Sequence, residues 1–300
     1  MPTNPAEITA PSSPTPPLPI ARVSPAARIR HVAALIPAWL TIACSLPGPV
    51  TPRDQLARLE RFTYAATLDQ TEVSVRAYRS GSQTGRRVIY IHGTPGDALS
   101  WGDYLAEPIP GTQSIAIDRP GFGVSSSHRA FPSLADQAAA IEPLLKPAAE
   151  PAILVGHSLG APIAAAVAAQ YPDRVAGLVL LAGSLDPDLE KILFIQHVGE
   201  FGPMPGLLPR WLRNTNRELL PLRAELEALE PRLAEIQTPI EIVHGTKDAQ
   251  VPYANVEFMR TRLTNAAVRI TTLEGTNHFL PWNSGAEVRA AIQRVVEAAP

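Results

Sequence analysis

Cysteine is almost absent from this chain: one in 300 residues, at Cys44. A single thiol excludes an internal disulfide and any zinc site that needs two or more cysteines. An excess of positive charge is missing too. Twenty-six lysines and arginines stand against 28 acids, a formal net charge of −2, which leaves no electrostatic footprint for nucleic acid. Aromatic residues make up only 6% and charged residues 18%, whereas 45% of the chain is hydrophobic. That composition supports a sizeable buried core and argues against disorder over most of the length. The length suits one large domain.

Proline is plentiful but uneven: 12 of the 32 lie in the first 52 residues. Residues 1–27 hold little but Pro, Ala, Ser and Thr, too few apolar groups to pack, and are expected to be a disordered leader. Residues 28–44 differ. Arg28 and Arg30 precede an uncharged run from Val32 to Ala43 that ends at Cys44, the three parts of a secretory signal. A membrane span would need about 20 apolar residues; this run is shorter. Ala43-Cys44 resembles the cleavage point of bacterial lipoproteins, with Cys44 as the lipidated residue, although Thr41 and Ile42 depart from that family's preferences. The expectation is a cell-envelope or secreted protein, with membrane anchoring through the N-terminus alone. The alternative is an amphipathic helix packed on a cytoplasmic domain. Residues 45–72 are expected to form a linker and first strand region.

From Val73 onward, short apolar runs alternate with helical patterns. Val73–Tyr78, Val88–His92, Ser114–Asp118, Ala152–Gly156, Val175–Ala182, Ile240–His244 and Val268–Leu273 are five to eight residues long. Most lack in/out alternation, as strands buried on both faces do. Between them Ser133–Leu145, Ser158–Gln170, Tyr253–Leu263 and Ser284–Glu297 carry apolar residues at helical spacing. The alternation predicts an α/β domain over 73–300 with a doubly wound, mostly parallel sheet. One connection, 183–239, is much longer than a simple crossover and is expected to be a short helical lid.

The strongest local signal is Gly156-His157-Ser158-Leu159-Gly160, between an apolar run and a helical pattern. Strand, sharp turn and helix are the context of a nucleophile elbow, which holds the serine in a strained conformation at a helix N-terminus. A serine hydroxyl needs a base, and the base needs an orienting acid. Among seven histidines, His278 in Gly275-Thr276-Asn277-His278-Phe279 follows the last strand and precedes the final helix. Asp248, just past the run Ile240–His244, is the candidate acid; Asp186, past the preceding strand, is its rival. The turn His92-Gly93-Thr94-Pro95-Gly96 offers backbone N–H groups to a developing oxyanion, with Thr94 and Leu159 as donors. Asp118-Arg119-Pro120-Gly121-Phe122-Gly123 lacks the closing residues of a phosphate loop and is expected to shape a pocket wall.

Together these motifs resemble the α/β-hydrolase superfamily from about Val73 to Glu297. The resemblance implies Ser158 as nucleophile, Asp248 as acid, His278 as base, and Thr94 and Leu159 as backbone oxyanion donors. It implies no metal and no cofactor. It points to a serine-nucleophile branch with a compact lid; Ser158 argues against the branches that place an aspartate at the elbow.

The expected activity is hydrolysis of small apolar carboxylic esters through an acyl-enzyme. A carbon–carbon bond hydrolase and a cofactor-free perhydrolase or haloperoxidase use the same triad, and a non-catalytic binding protein is a remoter alternative. Trp101, Phe194, Phe201, Met204, Trp211, Phe279 and Trp282 are the candidate pocket residues. Arg210, Arg213 and Arg217 are read first as a solvated helix face and second as a carboxylate site. Oligomeric state is not legible.

Overall fold

The computed structural model describes residues 55–56, 59–145 and 150–300. The leader, the signal-like segment 28–44 and Cys44 lie outside them. The sheet begins earlier than Val73. Strand β1 (Glu60–Leu68) runs into β2 (Thr71–Gly81) and pairs with it antiparallel. The two-residue turn, Asp69-Gln70, has positive φ at both positions, the type I′ geometry that matches strand twist. β1 lies within the first strand region expected over 45–72 and is part of the sheet through its pairing with β2.

Six further strands follow: β3 (Arg86–Ile91), β4 (Thr112–Ile117), β5 (Ala152–His157), β6 (Val175–Leu181), β7 (Ile240–Gly245) and β8 (Val268–Leu273). The spatial order is β1-β2-β4-β3-β5-β6-β7-β8. β2 meets β4 antiparallel, and every pairing from β4 to β8 is parallel. β5, β6 and β7 are buried at every position, which is why their sequences run apolar without alternation.

Helices cover both faces. α1 (Gly102–Ala106), α2 (Leu134–Leu145) and α3 (Gly160–Gln170) precede the long connection, and α4 (Phe194–Gly199), α5 (Met204–Leu207), α6 (Arg210–Leu219) and α7 (Leu222–Leu229) lie within it. α8 (Asn255–Arg262), α9 (Leu280–Asn283) and α10 (Gly285–Ala298) complete the chain. α2, α3 and α8 share one apolar cluster with Leu222, Leu226 and Leu229 of α7; α1, α9 and α10 contribute to the cluster on the other face. So α7 belongs to the core, and the part of 183–239 standing away from it is shorter than the sequence suggests.

Candidate active site

Four loops at the C-terminal ends of parallel strands build the site, the position where open α/β sheets place their chemistry. The first follows β5. Ser158 sits at φ 55°, a left-handed conformation that costs a non-glycine residue of order 1–3 kcal/mol and persists only where the surroundings fix it. They do so here through close packing. A Cβ on Gly160 would overlap the Ile91 carbonyl of β3, and one on Gly156 would overlap the Gly160 carbonyl. The Ser158 N–H is held by Leu181 O at 2.9 Å. The serine is thus pinned between two strands and the start of α3, whose first-turn N–H groups have no partner within the helix.

The second loop follows β7. Asp248 Oδ1 accepts from the N–H groups of Gln250 (2.9 Å) and Val251 (2.8 Å), which turns Oδ2 toward the third loop. There it accepts from His278 Nδ1 at 2.7 Å, with the carboxylate fully buried and the imidazole nearly so. His244 Nε2 lies 3.5 Å from the same oxygen while donating to Val251 O at 3.0 Å. Burial by itself would raise the Asp248 pKa, but the neighbouring His244 ring and the hydrogen bonds from His278 and the Val251 N–H outweigh it and hold the carboxyl well below the usual range. Since Nδ1–H of His278 points at the carboxylate, Nε2 is left as the lone-pair face of the ring. Asp186 is not part of this: its carboxylate accepts from Asp188 N at 2.9 Å and caps a short turn.

The loop carrying His278 is tied to the elbow and to the loop carrying Asp248. His157 Nε2 donates to the His278 carbonyl at 2.9 Å, its ring 4.8 Å from the His278 ring and edge-on to Trp282. Lys247 N donates to Thr276 O at 3.0 Å. Residues 157 and 278 are therefore neighbours across 121 positions of sequence, with Ser158 next in line. His157 escapes a sequence reading that sees it only as the variable residue of the elbow.

The turn after β3 closes over the serine. A Cβ on Gly93 would stand 2.9 Å from the Ser158 Cβ, so only glycine lets the turn come this near. His92 accepts from Arg119 N at its Nε2 (3.1 Å) and donates from Nδ1 to Gly93 O (2.7 Å). The ring is therefore neutral, and burial together with the Arg119 charge holds its pKa well below the ordinary value.

Arg119 is fully buried and organises this corner. Its Nε donates to His92 O (3.0 Å), Nη2 to Gly93 O (2.9 Å), and both terminal nitrogens to Glu218 of α6 at 2.7 and 3.0 Å. Thr94 Oγ1 donates to Thr215 Oγ1 of the same helix at 3.1 Å, and Asn214 Nδ2 donates to Gly121 O at 2.8 Å. The buried face of α6 is Asn214, Thr215, Asn216 and Glu218, so this helix is joined to the turn carrying Thr94 by a polar seam. The Asp118–Gly123 loop supports that seam, with Asp118 accepting from Ala98 N and Val124 N.

The candidate pocket residues separate. Phe279 and Trp282 lie beside His278 and His157, half-buried. Trp101 does not line a pocket: it is 1% exposed and packs on Tyr90 and Tyr104 in the core. Phe194 and Phe201 point into solvent, and Trp211 is also exposed; Met204 is half-buried. Among the arginines, Arg217 pairs with Glu200 at 3.0 Å, Arg213 donates to Pro205 O, and Arg210 donates to Gly123 O. They brace the segment.

Burial sets an acid limit to stability. His157 is buried, which pushes its pKa down to about 3, with the His278 ring as a further cause; an unfolded histidine titrates near about 6.5. Between those values the unfolded chain binds a proton that the folded chain does not. Stability is therefore full above about pH 6.5 and falls with decreasing pH by about 1.4 kcal/mol per unit from this residue. His92 adds to the same slope. Urea midpoints at pH 7 and pH 5 should differ in that direction; equal midpoints would contradict the neutral burial of both rings.

The chain matches the model of the α/β hydrolase fold family over residues 86–201, a span that holds Thr94, Ser158 and Leu159 but stops before Asp248 and His278. It is 28% identical over 254 residues to pimeloyl-[acyl-carrier protein] methyl ester esterase of Neisseria meningitidis serogroup B, covering 73% of this chain and 95% of that one. Its fold is similar to that of the monoacylglycerol lipase of Paleococcus ferrophilus, at TM-score 0.62 and 20% identity over 75% of this chain and 99% of the lipase. The bromoperoxidase of Bacillus anthracis superposes at TM-score 0.59 with 20% identity, over 79% of this chain and all of the other (100%).

Proposed function

We propose that the chain, which has the α/β-hydrolase fold, is a hydrolase that cleaves carboxylic esters of small apolar substrates through an acyl-enzyme on Ser158. What carries the reading is the 2.7 Å contact from His278 Nδ1 to Asp248 Oδ2, in a loop bonded to the residue before a serine held at φ 55°. The name of the Neisseria relative, a methyl ester esterase, supports an ester as substrate. In this mechanism Ser158 Oγ attacks the acyl carbon while His278 Nε2 takes its proton. The N–H groups of Thr94 and Leu159 receive the negative charge that develops on the carbonyl oxygen. His278 then protonates the leaving alcohol, and the same nitrogen activates the water that releases the acid. Asp248 keeps the ring in the tautomer with Nε2 free and stabilises its charged form. Phe279 and Trp282 offer an apolar wall to the acyl or alkyl group. Residues 28–44 would carry this enzyme to the cell envelope or outside it, and Cys44 would be the lipid attachment point.

A fluorophosphonate should label the protein to one equivalent, on the peptide containing Ser158, and should abolish turnover of p-nitrophenyl acetate. A series of p-nitrophenyl esters of rising chain length then gives the acyl preference. Adding peroxide and carboxylic acid tests the perhydrolase alternative, which uses the same groups with a different acceptor. Failure of the fluorophosphonate to react, in protein that is folded by circular dichroism, would end the nucleophile assignment.

A further inference from the structure

Seven large apolar side chains stand out in solvent among the described residues, and six of them fall between residues 192 and 211: Ile192, Leu193, Phe194, Phe201, Leu207 and Trp211. Phe194 is 83% exposed, Phe201 80% and Leu207 73%. The seventh, Val124, follows Gly123, whose carbonyl accepts from Arg210 beside Trp211. α4 packs on both α5 and α6, so these side chains come from one small substructure. Apolar exposure this concentrated marks an interaction surface.

The charge around it is distinctive. Between residues 191 and 217 stand Lys191, Arg210, Arg213 and Arg217 against a single acid, Glu200, a net of +3 in a chain whose formal charge is −2. We propose that this segment is a docking surface for an anionic lipid layer, with Phe194, Phe201, Leu207 and Trp211 entering the acyl boundary and the basic groups facing the head groups. Exposed aromatic and aliphatic tips in a segment of net positive charge are the chemistry of interfacial binding. The choice of a lipid layer over a folded acidic partner follows from the hydrogen bonds. Arg210, Arg213 and Arg217 already donate to Gly123 O, Pro205 O and Glu200. What they offer outward is long-range charge, which a fluid array of anionic head groups uses without fixed partner geometry. The inference does not depend on the ester-hydrolase reading.

The test uses the full chain and vesicles of phosphatidylcholine with about one-third phosphatidylglycerol. Because the N-terminus could bind vesicles by itself, the readout must come from the surface. Brominated acyl chains should quench Trp211, measured as the emission lost in the wild type but not in Trp211→Phe. The Phe194→Ser/Phe201→Ser double variant should lower partitioning at least about tenfold, given the apolar area it removes. Raising the salt to 0.5 M, or using pure phosphatidylcholine, should weaken binding severalfold. Both variants change exposed positions, and unchanged circular dichroism confirms their fold. An unquenched Trp211 or undiminished partitioning of the double variant overturns the proposal. So does a dimer that the double variant dissolves, or a cross-link from residues 32–43 onto this surface, since either gives it another occupant.

Discussion

Ser158→Ala is expected to lower kcat on an activated ester by about 10⁵ to 10⁶, and His278→Ala by a similar factor, with the double variant no slower than either. The non-additivity is the informative part. Nucleophile and base act as a unit, so once one is gone the other has nothing left to do. What remains is catalysis by the oxyanion donors and by binding, roughly 10³ to 10⁴ over water in comparable sites. Asp248→Asn should cost about 10⁴ with little change in fold. An amide at 248 can turn its NH₂ toward His278, which favours the tautomer whose Nε2 carries the hydrogen and cannot accept one from Ser158. Asp186→Asn separates the two candidate acids. Its carboxylate caps Asp188 N, and its loss should leave kcat within a few-fold of the wild type, since exposed turn contacts of this kind have small effects. Turnover by Ser158→Ala within tenfold of the parent, or a larger loss from Asp186→Asn than from Asp248→Asn, would refute the assignment.

The sheet and the elbow are legible in sequence for a physical reason. Strands buried on both faces must be short and apolar, and the runs Ala152–Gly156, Val175–Ala182 and Ile240–His244 match β5, β6 and β7 to within one residue. A backbone forced to positive φ between a strand and a helix leaves glycines at fixed spacing, and Gly156 and Gly160 touch what such a turn requires. β1 is harder to see because its pattern is mostly exposed, as befits an edge strand. α1 is too short to show periodicity.

The region over the site is where hydrophobic patterning misleads. Apolar residues are expected to pack, yet Phe194 and Phe201 face solvent. Polar residues are expected outside, yet Asn214, Thr215, Asn216 and Glu218 are buried. Arg210, Arg213 and Arg217 do mark the outer side of α6, but the inner side is polar as well, so no apolar stripe announces it. The partner of that inner face is Arg119, 99 residues away from Glu218, and no local pattern links them. Trp101 fails for the opposite reason: it lies near the Gly93 turn in sequence, but its ring turns under the sheet onto Tyr90.

Glu218→Ala should destabilise the fold by about 3–5 kcal/mol, the cost of leaving a buried cation without its counter-charge. The pair is bidentate, and its side chains are 0% and 2% exposed, so water cannot take the place of the carboxylate. Glu218→Gln keeps the shape and one acceptor and should cost less. Replacing both partners, Arg119→Met with Glu218→Leu, removes the uncompensated charge and would be nearly neutral for an isolated ion pair. Here it should not be. The guanidinium also donates to the carbonyls of His92 and Gly93, and each buried acceptor left unpaired costs about 1–3 kcal/mol. The double variant should therefore fall between the wild type and Glu218→Ala in urea unfolding. Both carbonyls belong to the turn that carries Thr94, so the double variant should also lose kcat while KM changes little, since a displaced oxyanion donor acts on the transition state. A loss below about 1 kcal/mol for Glu218→Ala would mean that solvent reaches Arg119, and the polar seam would then not be what joins α6 to the site.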